Sequence, residues 1–119
     1  PPQTLQLPGV QGGWFTLPDP PRAAQFRSRF QGAYGEAPHA LAGLAYDGIA
    51  VVGALARSGR ADSLGRAALT QSAGFQGVNG VFRFRQDNST DRGLAVATIR
   101  NNQVAVIDPA PKSFGGAGF

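Results

Sequence analysis

The sequence predicts an α/β chain: a short strand, three helices, then three mainly antiparallel strands. Three observations carry this. The apolar residues recur every 3.6 positions from about Arg22 to Gly74 and every second position afterwards, so helices precede strands. The 119 residues are enough for about one domain, and Leu, Ile, Val and Phe make up about a quarter of them, above the roughly 20% below which chains stay unfolded. Seventeen glycines and nine prolines punctuate the chain and leave little room for long helices.

Residues 1–13, PPQTLQLPGVQGG, have no sustained period and read as an extended lead-in. Trp14-Phe15-Thr16-Leu17 reads as a buried strand stopped by Pro18, and Asp19 is a helix N-cap followed by prolines that a first turn tolerates. A helix over about 21–34 places Ala23, Phe26, Phe30, Ala33 and Tyr34 on one stripe and ends at Gly35. A second helix, about 39–57, is interrupted only by Tyr46 and Asp47 and is expected to be buried on most sides. Its apolar stretch is at the short limit for a membrane span, and Asp47 at its middle would cost about 2.5–3.5 kcal/mol on insertion, so a membrane-spanning role is excluded. Asp62 caps a third helix, about 62–71.

Beyond Gly74, Phe82 and Phe84 alternate with Arg83 and Arg85, giving a strand over about 79–85 with an aromatic and a basic face. The polar stretch 86–93 reads as a turn or loop. Strands over about 94–100 and 103–107 flank Asn101-Asn102, residues that tolerate the positive φ of a tight hairpin. The end of the chain is rich in Gly and Pro, with Phe114 and Phe119 available to dock.

The residue inventory excludes most chemistry. Net charge is +4, but the cations, ten of them Arg, are scattered, so nucleic acid finds no basic footprint. NGVFRFR departs from the RNA-binding strand pattern at its first and third positions, and solvated arginines over core phenylalanines explain it more simply. Cysteine is absent, which removes disulfides, thiolate metal sites and thiol nucleophiles. His39 stands alone, without the further groups a triad or a metal site requires. The acids are spaced singly and suit caps and turns, and the glycines of GFQGVNGVF and GGAGF form no phosphate-binding loop. No catalytic residue, metal or cofactor is therefore expected. Asp47 is the exception among the acids: inside an apolar helix it needs a partner, either an Arg or backbone N–H groups of a neighbouring loop. The absence of Met and the opening Pro1-Pro2 read as a processed product or a fragment.

Leu17-Pro18-Asp19, Tyr34-Gly35, Pro38, Ala45-Tyr46-Asp47 and the glycine-spaced GFQGVNGVF occur in the order found late in type I periplasmic substrate-binding proteins of the Leu/Ile/Val-binding kind. The chain resembles the C-terminal portion of that two-lobed fold over roughly residues 9–111. Within the family it looks most like the penicillin-binding protein activators. The resemblance implies that 1–119 is the C-terminal part of a bilobed binding domain. About 1–74 would supply a strand and helices of one lobe, about 75–111 strands crossing to the other, and 112–119 a tail. It further implies a non-enzymatic, periplasmic role, with lipid anchoring through a missing N-terminus. Expected partners are the upstream part of the same polypeptide, a small polar ligand such as an amino acid, and an ABC permease or a cell-wall synthase. Ligand-binding candidates are Trp14, Phe15, Leu41 and Tyr46, with Asp19 and Asp47 as structural polar residues. The family often places an aromatic residue facing the cleft where Leu41 stands, so a ring for stacking a ligand is missing there. The competing class is a stand-alone protein-interaction module with no small ligand, in which Trp14, Phe26, Phe30 and Tyr34 are core or face a partner.

Overall fold

The computed structural model describes residues 3–115. Strand β1 (Trp14–Leu17) leads into helices α1 (Pro20–Tyr34), α2 (Ala42–Ala56) and α3 (Arg66–Leu69). Five strands follow: β2 (Phe75–Gly77), β3 (Gly80–Phe84), β4 (Thr90–Arg92), β5 (Ala95–Arg100) and β6 (Gln103–Asp108). They form two antiparallel three-stranded sheets, ordered β1-β5-β6 and β2-β3-β4. The change of period near Gly74 separates helices from strands but not one sheet from the other, because β1 pairs with β5 from Trp14↔Thr98 to Leu17↔Ala95.

Each long helix starts and stops for local reasons. The Asp19 carboxylate accepts the Arg22 N–H at 3.4 Å, two prolines fill the first turn of α1, and Gly35 ends it at φ 77° with its N–H on the Gln31 carbonyl. Helix α2 begins at Ala42 rather than at His39. The Nδ1 of His39 accepts the Leu41 N–H at 3.1 Å, and its carbonyl accepts the Ala42 N–H, which closes a turn before the helix can form. Helix α3 is a single turn that starts after Gly65, not at Asp62. The Asp62 carbonyl takes the Gly65 N–H in a preceding turn, and the Thr70 hydroxyl donates back to the Arg66 carbonyl at the other end.

Two strands lie where none was expected. β2 is short and ends in glycine; β4 falls in the polar 86–93 stretch. Pairing with β3 stabilises both, and for β4 Asp91 receives Arg83 at 2.8 Å and Arg85 at 3.4 Å across the ladder. Phe75, Phe82 and Phe84 form one aromatic cluster with centroids 5.7–6.2 Å apart, while the intervening arginines stay on the other face. Asn101 and Asn102, at φ 52° and 62°, make the β5–β6 turn as expected. The lead-in is not extended: two single 3₁₀ turns, Thr4–Gln6 and Pro8–Val10, are tied to that hairpin by Gln11, which bonds Leu5, Leu7 and Asn102. Phe114 docks against the Arg83 guanidinium at 4.5 Å; Phe119 lies outside the described residues.

Burial is uneven. The apolar core consists of Val51, Val81, Phe82, Ala95, Ala97, Ile99 and Ala110. Helix α1 buries no residue, and α2 buries only Gly43, Asp47 and Val51, so the expectation of a helix covered on most sides fails. Strand β1, expected to be buried, exposes Trp14 to 77%. In both places apolar spacing marks a face that needs cover, and the cover is not supplied by these residues. The accessible surface is 8299 Å², against ~6,100 Å² for a folded monomer of this mass. Among the described residues, no helix is long and apolar enough to cross a membrane.

Candidate functional site

The chain crosses between the two sheets from β1 through Pro18-Asp19 into α1 and from β4 through Gly93-Leu94 into β5, and it returns after β6, where the Gln76 side-chain amide donates to the Lys112 carbonyl at 2.9 Å. The first two crossings meet the β2–β3 turn and the start of β3. The Asp19 N–H donates to the Asn79 carbonyl at 3.0 Å, and the Gly93 N–H donates to the Val81 carbonyl at 2.8 Å. Arg22 reaches back from the first turn of α1 to the Gly77 carbonyl at 3.1 Å, beside the Asp19 carboxylate. Gly80, at φ 117°, has no space for a side chain, since a Cβ would lie 3.1 Å from the Gly93 carbonyl oxygen and 3.2 Å from the Asp19 Cβ.

Helix α2 closes the junction from below. Gly43 and Asp47 are one turn apart and therefore share a face. A Cβ on Gly43 would meet the Asn79 amide at 2.7 Å and Val78 at 3.2 Å. Asp47, 4% exposed, accepts the Val78 N–H on Oδ1 at 3.0 Å. Its Oδ2 is buried without a hydrogen-bond partner, and a Cβ on Gly77 would collide with it and with the Phe82 ring. Burial pushes the Asp47 carboxyl above its ordinary range, opposed by the Val78 N–H and then by the Arg92 and Arg22 charges.

Chemically, the junction holds and orients. It pairs no nucleophile with a base, and the hydrogen bonds of Asp19, Arg22, Asp47 and Gly93 all run to backbone groups of the junction itself. Among the described residues no group of His, Cys, Asp or Glu has the number and spacing to hold a metal ion.

The expected site residues fall in different places. Leu41, 61% exposed, stands just ahead of α2, two residues before Gly43 and so beside the junction. Tyr46 packs on Phe26 with centroids 5.4 Å apart and the rings tilted by 59°, in a groove of about 890 Å³ between α1 and α2 that also takes in Phe30, Tyr34, Ile49 and Arg57. Trp14 and Phe15 lie at the start of β1 opposite Thr98 and Ala97, ~10 Å along the strand from the crossing at Leu17. These four residues therefore do not converge on one pocket. Asp19 and Asp47 do meet, through the 77–80 turn.

Sequence reasoning passed over Arg22, Gly77, Asn79, Gly80 and Gly93. For Gly77, Asn79 and Gly80 the signal is present in the glycine spacing of GFQGVNGVF, which sequence reasoning uses as a family motif and rejects as a phosphate loop without reading a close approach from it. Its glycines instead admit a carboxylate at Gly77 and two crossing strands at Gly80.

Comparison with known proteins adds three findings. A family model described as periplasmic binding protein matches residues 2–103. No curated protein matches the chain. A crystal structure from Rhodospirillum rubrum, described as a branched-chain amino acid ABC transporter, superposes with a TM-score of 0.72 at 27% identity, covering 90% of this chain and 34% of that one. A leucine-binding protein, LivK, from Thermotoga maritima superposes with a TM-score of 0.50 at 24% identity over 91% of this chain and 35% of its own, a likeness of fold alone. The chain thus spans about a third of the length of the solved structures it matches.

Proposed function

The chain belongs to the periplasmic binding protein family and has the α/β architecture of part of its type I fold, and from that premise we propose that it is one portion of a non-enzymatic, periplasmic protein that closes around a small polar ligand, an amino acid of the branched-chain class, and serves an ABC permease. The observation that carries this reading is the junction. Two sheets joined only by adjacent chain crossings, two of them meeting at the 77–81 segment, can change their mutual angle without breaking either sheet, which is what closing around a ligand requires. The ligand class is supported by what the Rhodospirillum rubrum structure is described as transporting.

Of the four candidate residues, Leu41 is assigned the ligand-facing role, because it is exposed and stands beside the junction. An aliphatic side chain there offers apolar contact to an aliphatic ligand and no stacking. Tyr46 is assigned to the α1–α2 groove, and Trp14 and Phe15 to cover for β1. Calorimetric titration of the intact protein with leucine, isoleucine and valine tests the proposal. Saturable heat is expected with at least one of them, weakened by Leu41→Ala and unchanged by Trp14→Ala. Absence of heat with all three would refute the ligand class, and an effect confined to Trp14→Ala would refute the residue assignment.

A further inference from the structure

We propose that Asp47 is a positioning residue for the junction: through the Val78 N–H it fixes the Gly77–Gly80 turn as the common seat of the first two crossings, and thereby sets the angle between the two sheets. The inference deepens the clamp reading and rests on it only for its consequence in ligand binding.

Asp47 is the one acid of the described residues that is buried, and burying a carboxylate is unfavourable. Helix α2 has no need of it, since an alanine or leucine there would favour the helix more. What it supplies is directional. The Val78 N–H lies in a tight turn between β2 and β3, outside the ladder pairs Gln76↔Val81 and Gly77↔Gly80, and the Asp47 carboxylate is its acceptor.

Around that point three other hydrogen bonds of the junction converge on five consecutive residues. Arg22 holds the Gly77 carbonyl, Asp19 the Asn79 carbonyl and Gly93 the Val81 carbonyl. Among these bonds of the described residues, that of Asp47 comes from a long helix outside both crossings, so it refers the turn to a rigid element. The fit is tight on both sides: Gly43 lets α2 approach Asn79, and Gly77 leaves room for the second carboxylate oxygen. Because that oxygen has no hydrogen-bond partner, the turn is held to α2 by one directional bond. A single substitution can therefore release it.

The test is a distance measured in the intact, ligand-free protein, so that failure of the ligand assignment leaves it unaffected. These 119 residues contain no cysteine, and exposed Thr90 on β4 and Gln103 on β6 offer one label site on each sheet. Any cysteine elsewhere in the protein is replaced by serine. Pulsed electron-spin distance measurement is expected to give one narrow distribution, kept by Asp47→Asn, which retains an acceptor oxygen, and broadened about twofold by Asp47→Ala as the turn loosens. Val51→Ala, which removes buried packing one turn further along the same face of α2 and leaves the Asp47–Val78 hydrogen bond in place, is expected to lower the melting temperature and leave the distribution narrow. If Asp47→Ala does not fold, Gly77→Ala decides, because its Cβ displaces the same carboxylate and should broaden the distribution likewise. A distribution unchanged in the decisive variant, or broadened as much by Val51→Ala, would overturn the proposal.

Discussion

The strand half and the helical half both carry large apolar side chains, yet the centre of the one and the surface of the other differ sharply in what they bury. In the sheets Val81 and Phe82 are 2% exposed and Ala95 and Ala97 not at all; in the helices Ile49 is 77% and Tyr34 70% exposed. Hairpins bring their own partners: β2, β3 and β4 follow one another and pair, as do β5 and β6, and the strands this leaves in the middle of each sheet, β3 and β5, are the buried ones. Helices α1 and α2 meet chiefly along Phe26 and Tyr46. The buried residues of α2, Gly43, Asp47 and Val51, recur every fourth position and mark one line toward the 77–80 turn. Ile49 lies on the opposite side, apolar and open. The difference separates two uses of hydrophobicity: the central strands β3 and β5 bury their apolar residues within this segment, whereas the helices and the outer strands β1 and β6 present theirs to something else.

The largest expected effect tests that division directly. Isolated as 119 residues, the chain should associate, giving a light-scattering mass well above 12.3 kDa, because an exposed apolar face of this extent does not stay monomeric. Ile49→Ala sharpens the point. It should change the stability of the isolated segment by no more than about 0.5 kcal/mol, as an exposed site does, and lower that of the intact protein by about 2–5 kcal/mol, as a buried one does. A monomeric segment that melts cooperatively, or an Ile49→Ala effect equal in both contexts, would remove the contrast between the halves.

The second effect lies where the halves touch. Gly77→Ala should cost about 1–3 kcal/mol, because its Cβ has no room beside the Asp47 carboxylate and the Phe82 ring. Asp47→Ala should cost about 1–3 kcal/mol through the unpaired Val78 N–H. The double variant should lose less than the sum of the two, since removing the carboxylate clears part of the space the new methyl needs. Urea titrations of the four proteins measure this, and strict additivity would mean that the two residues do not share the space.

How much of this was legible in the sequence follows from the range of the forces involved. The α1 cap at Asp19, its stop at Gly35, the Asn101-Asn102 turn and the need of Asp47 for a partner are local or nearly so, and each could be read from residue types, although whether that partner is an Arg or a backbone N–H could not. The strands β2 and β4 could not. Three residues carry too little pattern, and what makes them strands is β3 between them. The overestimate of burial in α2 has a related cause: periodicity reports which face is apolar and is silent about where the covering surface is. The junction was half legible. The Leu-Pro-Asp turn and the glycine spacing stood out separately, but their meeting depends on β1 pairing with β5 across some eighty residues, which no local pattern encodes.

The smallest effect separates the halves by the sign of a pH dependence. Asp47 has its carboxyl raised above the ordinary 3.8, first by desolvation, so its contribution to stability is fully present below that value and is lost as pH rises through the raised one. Asp91, on the strand half, is lowered, first by the Arg83 hydrogen bond, so its contribution is present above 3.8 and is lost as pH falls through the lowered value. Neutralising each should therefore act in opposite directions. Asp47→Asn should gain on the wild type between about pH 4 and neutrality, where the wild type comes to bury a charge. Asp91→Asn should fall behind the wild type over the same range and draw level with it in acid, where the wild-type carboxyl is protonated too. Denaturation midpoints of the three proteins across that range decide the matter. Parallel shifts for the two variants would show that the junction carboxylate is no more desolvated than the one on the exposed ladder, and the buried character of the α2 face toward the turn would have to be given up.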